Sequence, residues 1–219
     1  MTIRILIVDD HALLREGVKH ILSECPDIVV AGEADNGLDA LAKVRAGNWD
    51  AMVLDMSMPG KSGIELIKQI KSEKPKLPIL VLSMHKEDLY AVRTLKAGAS
   101  GYLCKDSAES QLVQAIRKVA QGGLFMSAAV AESLAAEMLG GASDAPSHAL
   151  LSDREYQVFQ QIAYGKGISD IAHELNLSVK TVSTHKTRLM QKMNFANVAE
   201  LIRYAIKHGI VAEGIGLSE

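Results

Sequence analysis

Five short apolar runs, IRILIV, IVVAG, AMVL, LPILVL and GYL, fall within the first 103 residues, and a helix-length stretch separates each from the next. The strand candidates are Ile3–Val8, Ile28–Gly32, Ala51–Leu54, Leu77–Leu82 and Gly101–Leu103. They are rich in Val, Ile and Leu and show little polar alternation, the mark of strands covered on both faces in a parallel sheet. Helical spacing predicts helices over about Ala12–Ser23, Gly37–Ala46, Gly63–Ser72, Lys86–Ala97 and Ala108–Gln121. Gly47, Gly98 and Gly122 stand where helices should stop. Five such units predict a doubly wound α/β domain over residues 1–122.

The alternation ends at Gly122-Gly123. A short Ala-rich helix, Ser127–Leu139, is expected next, and then GGASDAPSHA, whose small residues and proline suit a linker. Residues 123–149 thus read as a linker with a short helix. From Leu150 the strands disappear and four helices are expected, at Asp153–Tyr164, Ile168–Leu175, Val179–Met193 and Val198–His208. Residues 150–219 are therefore an all-α domain.

Of the 219 residues, 48% are apolar, enough for a core in each domain. No apolar run approaches the ~18 residues that cross a bilayer, so no membrane association is expected. Asp9 and Asp10 interrupt the first apolar stretch, which does not read as a signal peptide. Two cysteines, Cys25 and Cys104, do not make a disulfide framework and fit a cytoplasmic setting. The net charge of −2 hides an asymmetry: residues 178–192 hold Lys180, Lys186, Arg188 and Lys192 and no acid.

Sites in open parallel sheets form beyond the C-terminal strand ends. Asp9 and Asp10 follow the first strand and Asp55 the third, so the three carboxylates should converge there. Converging carboxylates repel unless protonated or neutralised, and Mg²⁺ resolves the conflict. The other reading makes Asp10 a helix cap and Asp9 a solvated loop residue. Ser83 ends the fourth strand and Lys105 lies just past the fifth, adding a hydroxyl and an ammonium that can receive phosphoryl oxygens. His11 reads as a structural or tuning residue near this site, and Cys104 as a small strand residue.

The spacing VDDH … VLDMSMPG … LSM … GYLCKD resembles the receiver domain of two-component response regulators, a CheY-like, flavodoxin-like fold. The resemblance implies that Asp55 is phosphorylated by a sensor histidine kinase. It further implies that Asp10, Asp55 and the Ser57 backbone carbonyl bind Mg²⁺, with Asp9 acting through water. Lys105 and Ser83 would stabilise the phosphoryl group and Tyr102 would change rotamer. Receivers often carry proline after the lysine, where this chain has Asp106.

In the second domain, Asn176-Leu177 predicts a tight turn between two helices, and Ser178 can cap the second. At 100° per residue Val182, Leu189 and Met193 share one face. Lys180, Ser183, Thr184, Thr187, Arg188 and Gln191 lie on the other, within about 140°. Hydroxyls, an amide and cations without acids suit a DNA major groove, although a solvated helix face has the same composition. The run from LSDREYQVFQQIAYGKGISDIA through TVSTHKTRLMQKM resembles the LuxR-type helix-turn-helix. Together the halves resemble NarL/FixJ-family regulators over nearly the whole chain.

That resemblance implies Ser183, Thr184 and Thr187 at base edges, with Lys180, Thr181, His185, Arg188 and Lys192 holding phosphates or flanking the groove. Val198, Leu201, Ile202 and Ala205 form a stripe that covers the helical core and that the family also uses for dimerisation. The expected function is a DNA-binding response regulator, not an enzyme, whose phosphorylation changes its conformation or dimerisation at promoter DNA. RNA polymerase and a second copy of the chain are the further partners expected. Two alternatives are an aspartyl-phosphate phosphatase or phosphotransferase using Asp55, and a DNA-binding regulator independent of phosphorylation.

Overall fold

The apolar runs form one parallel sheet. The structure, a computed structural model, describes residues 2–56, 58, 63–83, 88–138 and 147–211. Strands β1 (Ile3–Val8), β2 (Ile28–Ala34), β3 (Ala51–Asp55), β4 (Ile79–Ser83) and β5 (Gly101–Cys104) lie in the order β2-β1-β3-β4-β5. Helices α1 (Ala12–Ser23), α2 (Gly37–Ala46), α3 (Gly63–Glu73), α4 (Asp88–Lys96) and α5 (Ala108–Ala120) connect or follow them. The fold class is the doubly wound α/β domain joined to an all-α domain that the residue pattern predicts.

Each strand's alternating side chains serve two layers. Ile5, Ile7, Ala51, Val53, Leu80, Leu82 and Leu103 pack with Val18 and Leu22 of α1 and Leu112, Ala115, Ile116 and Val119 of α5. Leu6, Val8, Met52 and Leu54, also fully buried, face the other side. Burying one such side chain is worth about 1.5–3 kcal/mol, so both faces of the sheet are committed to the interior.

The strands run further at their C-terminal ends than their apolar letters suggest, while β4 begins at Ile79, after Leu77 and Pro78. β2 extends past Gly32 to Ala34, and β3, β4 and β5 each take in one more residue: Asp55, Ser83 and Cys104. Ladder hydrogen bonds are made by backbone, so a polar side chain does not end a strand. β2 also contains an irregularity: Ile5 pairs Val30 but Leu6 pairs Gly32, and Ala31 is the extra residue. Gly32 sits against the Trp49 ring, where an added Cβ would meet its Cη2 at 2.5 Å.

The chain forms two compact units, Met1–Met138 and Leu139–Glu219. The stretch after Gly122, expected as linker, belongs in part to the first. Tyr102 N–H donates to the Phe125 carbonyl at 2.8 Å, and Phe125 N–H donates to Ser100 O at 3.0 Å. Helix α6 (Ala128–Met138) packs against α4 and buries Val130. Leu139, the linker residues 140–146, the expected helix start at Lys86 and residues 212–219 lie outside the described residues.

The second unit contains α7 (Asp153–Ala163), α8 (Ile168–Glu174), α9 (Val179–Met193) and α10 (Val198–Lys207). The LSDRE letters are a capping box: Ser152 Oγ accepts from Glu155 N–H, and Glu155 Oε2 accepts from Ser152 N–H at 2.8 Å. The α8–α9 corner turns on Asn176 at φ 51°, a left-handed conformation that asparagine tolerates. Ser178 Oγ then caps α9 by accepting from Thr181 N–H at 3.0 Å. Tyr156, Phe159, Ile171, Val182, Leu189, Leu201 and Ala205 form buried positions of the helical unit.

Candidate functional site

Register brings the acidic residues together. Val8 pairs Leu54, so Asp9 and Asp55 come one residue later on adjacent strands. Asp55 pairs Leu82, and Ser83 pairs Cys104, which directly precedes Lys105. All four chain segments therefore deliver polar side chains to the same sheet edge.

Lys105 Nζ lies 3.0 Å from Asp55 Oδ1 and 3.1 Å from Asp9 Oδ2. Asp55 and Asp9 are buried, and the Lys105 side chain is only 7% exposed. Asp10, a quarter exposed, extends the group outward, and its Oδ1 lies 3.0 Å from His11 Nδ1. Asp9, Asp10, His11 and Asp55 each bring a ligand atom within 4.8 Å of the others. Among the described residues, three carboxylates stand against the one ammonium of Lys105. Oxygen donors in that number suit a hard divalent cation. Neither aspartate caps α1: the N-cap is His11, without a side-chain cap bond, and Asp9 Oδ1 instead accepts from His11 N–H at 2.8 Å.

Helix α9 has a different character. Lys180, Ser183, Thr184, Thr187, Arg188 and Gln191 are exposed, while Val182, Leu189 and Met193 are buried. The Thr184 and Thr187 hydroxyls donate to the carbonyls of Lys180 and Ser183 at 2.9 and 3.0 Å. Those bonds fix the hydroxyl rotors and leave the oxygen lone pairs facing outward as acceptors.

Comparison with known proteins agrees with both domains. Residues 5–117 match the response regulator receiver domain, and residues 149–205 match the bacterial regulatory proteins of the luxR family. Response regulator UvrY of Escherichia coli O6:H1 is 36% identical over 208 residues, 95% of each chain. RcsB from Salmonella enterica serovar Typhimurium, bound to promoter rprA in the presence of the phosphomimetic BeF3−, is similar at TM-score 0.67. It is 28% identical, and the match covers 93% of this chain and 98% of that one. A structure of two RcsB dimers bound to two parallel DNAs matches with TM-score 0.58 and 28% identity, over the same shares of the two chains.

The chain belongs to the NarL/FixJ family of two-component response regulators. The regulator carries a receiver domain and a LuxR-type DNA-binding domain.

Its expected site residues separate into those that meet and those that do not. Asp9, Asp10, Asp55 and Lys105 converge. Ser83 is fully buried at the end of β4, and Tyr102 is buried on β5. The Ser57 carbonyl lies outside the described residues. Among the described residues no peptide bond is cis, so Asp106 follows Lys105 through a trans bond.

In the regulator's second domain several expected residues also have internal contacts, and the stripe on α10 covers the core as expected. Leu201 and Ala205 are fully buried in the core, so of the proposed dimerisation stripe only Val198 and Ile202 keep accessible surface. Lys192 Nζ is tied to the buried Glu155 at 2.6 Å and reaches the Leu150 carbonyl at 3.4 Å, which makes it a brace between α7 and α9. Burial pushes the Glu155 carboxyl up, but the Lys192 bond and the Ser152 bonds outweigh it and hold it below its ordinary value. His185 has a buried Nδ1, and burial lowers its pKa, with Arg188 and Arg154 adding to the effect against Glu155. The sequence reading missed Glu155 and Arg15 of the regulator. The SxxE spacing of a capping box was the available signal for Glu155.

Proposed function

We propose that Asp55 accepts a phosphoryl group from a sensor histidine kinase and that the phosphorylated chain acts at promoter DNA as a dimer. The observation that carries this reading is the ammonium of Lys105 bridging two buried carboxylates at 3.0 and 3.1 Å beside a third. One Asp55 oxygen attacks phosphorus while the bond to the donor nitrogen breaks, and that nitrogen keeps the bonding electrons. Lys105 then exchanges its bond to the carboxylate for one to a phosphoryl oxygen, and Ser83 offers a hydroxyl to another. Asp10, Asp55 and the Ser57 carbonyl would hold Mg²⁺, with Asp9 acting through water. When bound, Mg²⁺ offsets charge on the transferring group.

Tyr102 and Ser83 lie on neighbouring strands, and a shift between two arrangements there would bias the output domain. In that domain the exposed face of α9 supports groove binding, with Ser183, Thr184 and Thr187 at base edges and Lys180, Thr181 and Arg188 at phosphates. Val198 and Ile202 offer surface for a second copy. Among the described residues no helix is long and apolar enough to cross a membrane. The receiver and output functions are assigned to the units Met1–Met138 and Leu139–Glu219, so that part of the expected linker 123–149 works with the receiver, and RNA polymerase is the proposed downstream partner.

The test incubates the full chain with acetyl phosphate and Mg²⁺, reads labelling on a phosphate-affinity gel, and selects bound DNA fragments with and without a beryllofluoride mimic. Asp55→Ala should abolish labelling while leaving the fold intact. Labelling retained at another residue, or the same DNA bound equally with and without the mimic, would overturn the reading.

A further inference from the structure

Asp9 is bonded at each of its polar atoms. Its N–H donates to Ala34 O at 3.1 Å, its Oδ1 accepts from His11 N–H, and its Oδ2 accepts from Lys105. Its backbone carbonyl accepts from Arg15 Nη1 at 2.6 Å. That last bond comes from outside the pocket. Arg15 lies one turn into α1, and its side chain is only 17% exposed.

Arg15 is itself anchored. Its Nε donates to Glu33 Oε2 at 3.1 Å, and Glu33 Oε1 accepts from Lys19 Nζ at 2.9 Å. Lys19, with Arg15 behind it, holds the Glu33 carboxyl below its ordinary value despite partial burial. Glu16 completes the group by pairing with Lys19. The irregularity in β2 makes this possible. With Ala31 as the extra residue, Glu33 pairs Ile7, whose side chain faces α1. An unbroken ladder would set Gly32 opposite Ile7 and turn Glu33 to the other face, because side chains alternate along a strand.

We propose that Arg15 is a positioning residue for the phosphoacceptor pocket, setting its divalent-cation affinity by clamping the Asp9 backbone, with Glu33 orienting Arg15. This rests on the reading of the acidic pocket as the phosphoryl-transfer site. Two effects of Arg15 oppose each other. As a nearby cation it would weaken binding of another cation, whereas as a clamp it strengthens binding by holding the donors in place. Two cations, Arg15 and Lys19, stand against two anions, Glu33 and Glu16. Removing Arg15 alone leaves Lys19 against Glu33 and Glu16 and by charge favours the cation, so a weaker affinity in the variant reports loss of the clamp. Outer partners of metal ligands commonly change affinity 10- to 100-fold.

The experiment titrates Mg²⁺ into the full chain by calorimetry and measures Asp55 labelling by acetyl phosphate across Mg²⁺ concentrations. Arg15→Ala should raise the Mg²⁺ dissociation constant about tenfold. At saturating Mg²⁺ it should leave the maximal labelling rate within about twofold, because the reacting groups are untouched. Arg15→Lys, which keeps a donor and the charge, should recover part of the affinity. Glu33→Gln should raise the constant about threefold, the size of a partly exposed ion pair, and Glu16→Gln, which removes the same charge without touching Arg15, should change it less; the two together keep the test open if Arg15→Ala does not fold. A Mg²⁺ constant that is unchanged or lower in both Arg15→Ala and Glu33→Gln, in chains that melt like the wild type, would overturn the clamp. A wild-type chain that neither binds Mg²⁺ nor is labelled would instead overturn the reading of the pocket, and the clamp with it.

Discussion

The regulator collects like charges in two places and handles them in opposite ways. In the receiver, carboxylates from β1 and β3 meet where water is largely excluded, and Lys105 is built in to hold them. Along α9, Lys180 and Arg188 stand in solvent, with no acid anywhere on the helix. Solvent and salt screen exposed charges over about 8–10 Å, so α9 needs no internal counter-charge. Buried charges keep most of their mutual field, so the acidic pocket does. Among the described residues, the α9 cation that pairs internally is Lys192, whose partner Glu155 is buried. A site for transient chemistry on one phosphoryl group is thus enclosed and compensated, while a surface for a polyanion is open and uncompensated.

Removing the compensating cation should break this contrast most strongly. Lys105→Ala leaves Asp9 and Asp55 buried together without an ammonium. Urea unfolding of the receiver should show a loss of about 3 kcal/mol at low divalent concentration, the usual cost of breaking a buried ion pair. Added Mg²⁺ should restore more stability than it adds to the wild type. An unchanged midpoint in both conditions would remove the buried-charge account.

Lys192→Ala tests the same rule in the helical domain, where it should cost about 1–3 kcal/mol through the stranded Glu155. Glu155 has a depressed pKa in the folded state. Its contribution is therefore complete above the ordinary glutamate value and is lost as pH falls through the folded one. Thermal melts from neutral to acidic pH should show the variant with a flatter acid-side slope than the wild type. Parallel slopes would mean that the pair does not set the acid limit.

The smallest effect on stability is expected where charge is exposed. Lys180→Ala or Arg188→Ala should change folding by less than about 0.5 kcal/mol. Each should weaken binding to many DNA sequences alike and reduce the salt slope by about 0.9 for each phosphate that is no longer neutralised. A weakening confined to one sequence would move that side chain from the phosphates to a base edge.

Much of this was legible in the chain itself. Continuous apolar runs marked the five strands, and the rule that sites form at C-terminal strand ends drew Asp9, Asp10, Asp55, Ser83 and Lys105 to one edge. Ser178 as a cap and the Asn176 corner were readable because capping and turn chemistry are local. The linker assignment failed for residues 124–138 because their docking on β5 and α4 depends on partners distant in sequence. The roles of Lys192 and His185 come from the resemblance, and the α10 stripe from helical spacing, neither of which shows the Lys192–Glu155 bond or the buried His185 Nδ1. A helix wheel shows which residues share a side but not what the neighbouring helices place against them. Arg15 and Glu33 are 18 residues apart and meet only through the β2 irregularity, which no composition or period signals.

By itself the order of residues determined the element types, the parallel doubly wound sheet, the helix-turn-helix and the segments that supply the acidic pocket. Periodicity and capping act within a few residues, and strand ends inherit a common edge from topology. Only the tertiary structure decided which charges are enclosed and which are open, which apolar residues of α10 are interior, and which arginine holds the Asp9 backbone. Burial and ion pairing depend on packing between distant segments, and their energies follow the local dielectric more than the identity of the side chains.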